Sequence, residues 1–140
     1  MNLTSDTEIE RIVSFIKKII QDSEAEGVIL GLSGGIDSAL VGTLCVRALG
    51  KSRVSALLLP IHSPETDLED AKLMANHLGI KYELIDLTQT FDLLLTALSP
   101  SQESKELAKA NLKPRLRMIA LYYQANKLNY LVAGTGNRSE

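Results

Sequence analysis

The sequence predicts an α/β fold: a doubly wound parallel sheet with the expected strand order 3-2-1-4. Three observations carry this expectation. Short runs rich in Val, Ile and Leu alternate with stretches whose apolar residues recur at helical spacing. Gly or Pro marks most of the junctions between them. A Gly-Gly turn, Ser33-Gly34-Gly35-Ile36-Asp37-Ser38, stands where the first apolar run passes into a helix.

The elements follow in order. Ser5-Asp6-Thr7-Glu8 fits a capping box, and Ile9, Ile12, Val13, Ile16, Ile19 and Ile20 then mark one helical face. Asp22 to Glu26 is a polar link. The first strand covers 27–32, and its helix begins near Asp37, runs through Leu40, Val41 and Leu44, and stops at Gly50. The second strand, 54–59, ends at Pro60. Thr66-Asp67-Leu68-Glu69 fits a second capping box, with Gly79 as the stop of that helix. The third strand, 81–86, alternates in polarity, as at a sheet edge. Thr88 fits the cap of a helix bearing Phe91, Leu94, Leu95 and Leu98. Ser99-Pro100-Ser101 breaks the chain, and a helical stretch follows to about Asn111. Pro114 suits the first turn of a fresh helix, and 130–133 reads as the fourth strand.

With 140 residues, 45% hydrophobic and 23% charged, the chain suits one globular domain covering 1–140. The net charge of −2 argues against nucleic acid and anionic membrane as partners. No apolar run approaches the ~20 residues needed to span a bilayer, and no signal peptide is expected at Met1. Cys45 has no second cysteine to pair with, which suits a buried, inert thiol in a reducing cytoplasm.

The turn at 33–38 holds the most chemistry. Two glycines let the backbone approach a ligand closely, and a helix N-terminus offers unpaired N–H groups with a partial positive charge. Together they make a cradle for phosphate. A carboxylate in such a cradle would repel phosphate unless a cation lay between them, so Asp37 argues for Mg²⁺. A plain turn with Asp37 as a helix cap is the other reading.

The last residues, Gly134-Thr135-Gly136-Asn137-Arg138-Ser139-Glu140, form a second such loop. There the Thr135 hydroxyl suits a phosphate or ribose, and Glu140 the same cation as Asp37; a hydrophilic loop with Glu140 opening a helix is the other reading. In the order 3-2-1-4, the loops after strands one and four flank the switch point, where one nucleotide would touch both. Lys113, Arg115 and Arg117 cluster near the expected helix start, which suits a docking anion. For Lys113 and Arg117 a solvated charged face is preferred, and Arg117 also suits a bridge to carboxylates.

S-G-G-I-D-S at 33–38 resembles the pyrophosphate loop of the ATP pyrophosphatase (PP-loop) superfamily; it lacks the lysine of the common P-loop. N-L-K-P-R-L-R-M at 111–118 and G-T-G-N-R-S-E at 134–140 are similar to motifs of the NAD⁺ synthetase family. The resemblance touches most of the chain and implies a Rossmann-like fold of the adenine nucleotide alpha hydrolase type. It also implies ATP-dependent amidation of deamido-NAD⁺ to NAD⁺ by ammonia, through an adenylylated carboxylate, with release of pyrophosphate and AMP.

Carried over by position, Gly31, Leu32, Ser33, Gly34, Gly35, Ile36, Asp37, Ser38 and Thr135 would hold ATP. Asp37 and Glu140 would hold Mg²⁺, and Arg115 would bind deamido-NAD⁺. The loop after Leu59 and Pro60 would lie near adenine. No covalent nucleophile is needed, and His62 and His77 read as surface or helix histidines. The family's members are dimers, so a homodimer is expected, with the face of Met118, Ile119, Tyr122 and Tyr123 either at its interface or in the core. They are also longer than this chain. A fifth strand beyond Glu140 is therefore expected to be missing, leaving weak ATP binding and slow turnover, and ammonia is expected to be supplied free or by a separate protein. The alternatives are another PP-loop ligase, GMP synthetase-like or tRNA-modifying, and a nucleotide-binding module without catalysis.

Overall fold

Alternating apolar runs and helical stretches resolve into four strands and five α-helices in a computed structural model, which describes residues 6–99 and 105–134. The order is α1 (Asp6–Ser23), β1 (Gly27–Gly31), α2 (Ile36–Leu49), a 3₁₀ turn (Lys51–Arg53) and β2 (Val54–Leu58). It continues with α3 (Glu65–Leu78), β3 (Lys81–Leu84), α4 (Thr88–Leu98), α5 (Glu106–Leu128) and β4 (Tyr130–Ala133). The strands form one parallel sheet in the order β3-β2-β1-β4, as the alternation requires. Register is fixed by Val28 opposite both Val54 and Leu131, and by Ser55 opposite Lys81. All four strands therefore release the chain at the same end of the sheet.

Successive side chains of a strand point to opposite faces, so each buried strand feeds two cores. Val28, Leu30, Val54, Ala56 and Leu58 pack under the first three helices, against Ile20, Cys45, Ala71 and Ala75. Ile29, Leu57 and Leu59 pack on the other face, against Phe91, Leu116, Leu121 and Ala125 of α4 and α5. β3 lies at the edge with all four residues exposed, as its alternating sequence suggests.

Local signals set most of the boundaries. Gly50, at φ 87°, closes α2 and donates to the Val46 carbonyl at 2.7 Å. Gly79 adopts the left-handed conformation at the end of α3, with the Ile80 N–H returning to the Ala75 carbonyl at 3.2 Å.

Three expectations are corrected. The box at Thr66–Glu69 does not cap α3, because the helix starts one residue before it at Glu65, with Pro64 at the N-cap position. Thr88 is the first helical residue of α4 rather than its cap: its N–H donates to the Asp86 carboxylate at 2.9 Å. That bond holds the Asp86 pKa below the usual carboxylate value. The largest correction concerns Pro114. No break or fresh start occurs there; α5 is one helix of 23 residues with Pro114 inside it. Proline removes one backbone bond from a helix interior, at a cost of ~3 kcal/mol. Here the apolar contacts of Leu112 before it and Leu116, Leu121 and Ala125 after it hold the helix together across that point. Ser5 of the first capping box and the loop at 135–140 lie outside the described residues.

Candidate nucleotide site

β1 carries the chain to Gly31 and Leu32, and a tight turn then reverses it into α2. Gly34 takes φ 85°, which L side chains rarely adopt. It also lies against α3: a Cβ built there would stand 2.8 Å from the Asp67 carbonyl oxygen and 3.1 Å from Asp70 Cβ.

Serine hydroxyls knit the turn together. The Ser33 amide donates to Ser38 Oγ at 3.3 Å, the two hydroxyls are 3.4 Å apart, and Ser38 Oγ donates to the Gly35 carbonyl at 3.3 Å. Ser38 is the one buried polar residue among those described. Its hydroxyl is thus committed to the turn's own shape, while Ser33 remains exposed.

At the N-cap of α2 stands Gly35, and no side chain caps the helix. The first N–H groups of a 14-residue helix are therefore left for solvent or a ligand. They open into a cavity of about 680 Å³. One wall is the turn, with Ser33, Gly35, Asp37 and Ser38; the opposite wall is the end of β2, Leu57 to Pro60, with Ser63. Arg117 and Leu121 of α5 bound it on one side and Asp67 and Leu68 of α3 on the other. Asp37 is exposed in the first turn of α2. Among the described residues, no three His, Cys, Asp or Glu side chains converge as a complete metal site.

The described cavity opens between the ends of β1 and β2 and includes Leu59 and Pro60, beside which the base was expected. The expectation that one nucleotide also touches the loop after β4 falls on residues outside those described. β4 does release the chain at Gly134 beside the end of β1, with Ala133 in register with Leu30. Thr135 and Glu140, assigned to ATP and Mg²⁺, lie outside the described residues. Of the residues assigned to ATP, Gly31, Leu32, Ser33, Gly35, Ile36, Asp37 and Ser38 line the cavity, while Gly34 turns towards α3.

The three cations are not at a helix start. They sit well inside α5, so the electrostatic argument from an N-terminus does not apply to them. Arg115 is exposed and does not line the cavity. Lys113 is half-buried, its Nζ 5.6 Å from the Phe91 ring centroid, which is a cation–π contact rather than a solvated face. Arg117 is half-buried too: its Nε donates to the Leu59 carbonyl at 2.7 Å, and among the described residues it forms no ion pair with a carboxylate. Burial draws its pKa below the ordinary guanidinium value.

His62 serves the loop after β2. At φ 51° it donates its amide to Thr88 Oγ1 at 2.9 Å and sets its Nε2 2.8 Å from the Asp92 carboxylate. Of the face with Ile119, Tyr122 and Tyr123, those three are exposed and Met118 packs against the core.

Cys45, on the inner face of α2, packs within the core, 2% exposed, and burial pushes its thiol pKa from 9.0 to about 11. The folded state therefore favours the neutral thiol. Stability from this group is complete below pH 9.0 and is lost as the pH rises towards 11, by roughly 2–3 kcal/mol. A Cys45→Ser comparison of urea midpoints at pH 8 and pH 10.5 checks this. The wild-type drop between the two is expected to exceed that of the variant.

The NAD synthase family model matches residues 8–140. The chain belongs to that family. An NH3-dependent NAD(+) synthetase from Archaeoglobus fulgidus is 50% identical over 134 residues, covering 94% of this chain and 53% of the relative. One from Carboxydothermus hydrogenoformans is 42% identical, covering 100% and 58% respectively. Solved structures agree. An NH3-dependent NAD synthetase from Campylobacter jejuni, solved with a nitrate ion, superimposes with a TM-score of 0.83 at 39% identity, covering 92% of this chain and 55% of that one. A glutamine-dependent NAD+ synthetase from Acinetobacter baumannii, solved with ADP, gives 0.86 at 33% identity, covering 93% and 26%. The chain spans about half the length of the curated relatives it matches.

Sequence reasoning missed two parts of the cavity's lining. Asp67 and Leu68 reach the cavity because α3 starts beside the Gly34 turn, a tertiary contact with no local sequence mark. Arg117 was legible: it stands four residues before the buried Leu121, on the same helical stripe, and such a position faces inward.

Proposed function

We propose that this chain forms the ATP-activating half of an ammonia-dependent NAD⁺ synthetase. The observation that carries this reading is the uncapped N-terminus of α2, reached through the Ser33-Gly34-Gly35 turn and opening into the cavity. Unpaired helix N–H groups there suit the β- and γ-phosphates that leave as pyrophosphate. A site able to accept adenosine phosphates is supported by the ADP bound in the A. baumannii relative.

The residues present fit Mg²⁺ in the way that ion is usually held, through one or two carboxylates with the remaining positions filled by substrate phosphates and water. Asp37 supplies one carboxylate at the cradle, and Glu140 is the proposed second. When bound, the ion offsets the negative charge that builds on the phosphates. Thr135 is assigned to ATP and Arg115 to deamido-NAD⁺.

In this reading, a nicotinate carboxylate oxygen attacks the α-phosphorus and the bond to the β-phosphate oxygen breaks. Ammonia then attacks the acyl carbon, AMP leaves with the electron pair of the cleaved C–O bond, and the ammonium proton passes to solvent. The protein's part is positioning and charge stabilisation, with the turn and α2 holding the departing pyrophosphate. The single buried thiol gives no support to a thiolating enzyme. Within the described residues no helix is long and apolar enough to cross a membrane; a cytoplasmic location is part of the proposal. A homodimer is proposed through the exposed Ile119, Tyr122 and Tyr123.

Protection of the chain by deamido-NAD⁺ in a thermal-shift titration tests the assignment. The dinucleotide is expected to raise Tm in the wild type, and Arg115→Ala is expected to remove that rise while leaving the shift given by Mg·ATP. Loss of both shifts, or of neither, would count against the role given to Arg115.

A further inference from the structure

The end of β2 is held by four carbonyl contacts, and one of them differs in kind. The Leu57 carbonyl accepts from the Leu32 amide at 3.0 Å, that of Leu58 from Ile85 at 2.9 Å, and that of Pro60 from Leu87 at 2.9 Å. All three donors are backbone. Carbonyls alternate from side to side along a strand, so Leu59 faces the β1 side with Leu57. There β1 has already turned away into the Ser33–Ser38 loop, and no strand remains to donate. The Leu59 carbonyl is met instead by Arg117 Nε at 2.7 Å, from α5. Arg117 thus fills the place of a missing ladder neighbour in the gap where β1 and β2 diverge, and that gap is the cavity.

The cavity divides chemically across this gap. The turn and the α2 N-terminus are polar and suit phosphate, whereas Leu57, Leu59, Pro60 and Leu121 make an apolar side that suits the flat face of a purine. We propose that Arg117 is the positioning residue of the base wall: it fixes the Leu59 carbonyl, and through it the path of Leu59 to Ser63, so that the wall is set for the base before the nucleotide arrives. This rests on the nucleotide reading given above. Its effect is expected on the base more than on the phosphate cradle, because among the described residues its hydrogen bond goes to the β2 end.

Calorimetric titration of the chain with Mg·ATP and, separately, with Mg·tripolyphosphate separates these effects. The variants are Arg117→Met, which keeps the stem and removes every donor, and Arg117→Lys, which keeps the charge and loses the planar guanidinium. Leaving a partly buried carbonyl unmet is expected to weaken ATP binding by about tenfold in Arg117→Met. Tripolyphosphate binding is expected to stay within about twofold, and Arg117→Lys to show the same split at reduced size. A merely structural role would weaken both ligands in step with lost stability. Equal loss for both ligands in Arg117→Lys, or undiminished ATP binding in both variants, would overturn the proposal. If the wild type bound tripolyphosphate but not ATP, the base wall would be wrong; if it bound neither, the nucleotide site itself would be wrong.

Discussion

Gly34→Val is expected to lower stability by about 2–5 kcal/mol and to weaken Mg·ATP binding at least about a hundredfold. Two independent costs add. The residue holds φ 85°, where a β-branched side chain is strained. The new Cβ would also meet the Asp67 carbonyl at 2.8 Å, and that oxygen belongs to backbone in the first turn of α3, which cannot swing aside. Relief requires the turn to lift from α3, and the turn carries both Ser33 and the start of α2. Urea unfolding read by circular dichroism, with calorimetric titration of Mg·ATP, measures both effects. An unchanged midpoint would show that the turn and α3 are not packed as described.

Asp37→Asn is expected to do the reverse: little to stability and much to ligand binding. Its carboxylate is exposed, and no ion pair or hydrogen bond among the described residues uses it. Losing it removes only the favourable charge in the first turn of α2, about 0.3–1 kcal/mol. For the wild type, ATP affinity is expected to rise steeply with Mg²⁺, because the ion relieves repulsion between this carboxylate and the phosphates. In the variant the curve should flatten, with affinity at millimolar Mg²⁺ about a hundredfold below wild type. Equal Mg²⁺ dependence in both proteins would remove Asp37 from the metal site.

Those two residues were legible for different reasons. Periodicity and glycine punctuation located every strand to within two residues: β1 and β2 as the apolar runs that buried parallel strands need, β3 by the alternation of an exposed edge. The turn was legible because its function needs fixed residue types at fixed spacing. Pro114 misled the reading of α5, since a local rule about proline was outweighed by apolar contacts made on both sides of it. The same error placed Lys113, Arg115 and Arg117 at a helix start and made Arg117 look solvated. Whether a long cation is wet depends on which turn of which helix carries it. Thr66 and Thr88 misled for a related reason: a threonine ahead of an apolar helical stripe, with Glu69 three residues on in the first case, suggests a cap, but Pro64 and Asp86 set those helix starts.

The stretch from Arg117 to Tyr130 behaves as a ruler. At its near end a side chain is bonded to the end of β2; at its far end Asn129 takes φ 59° and hands the chain to β4 in fixed register with Gly27. One added residue would rotate everything beyond it by about 100° around the helix axis. Either the guanidinium would swing off its carbonyl or the fourth strand would enter out of step. In this interval the exposed positions can change their letters, but the number of residues cannot change.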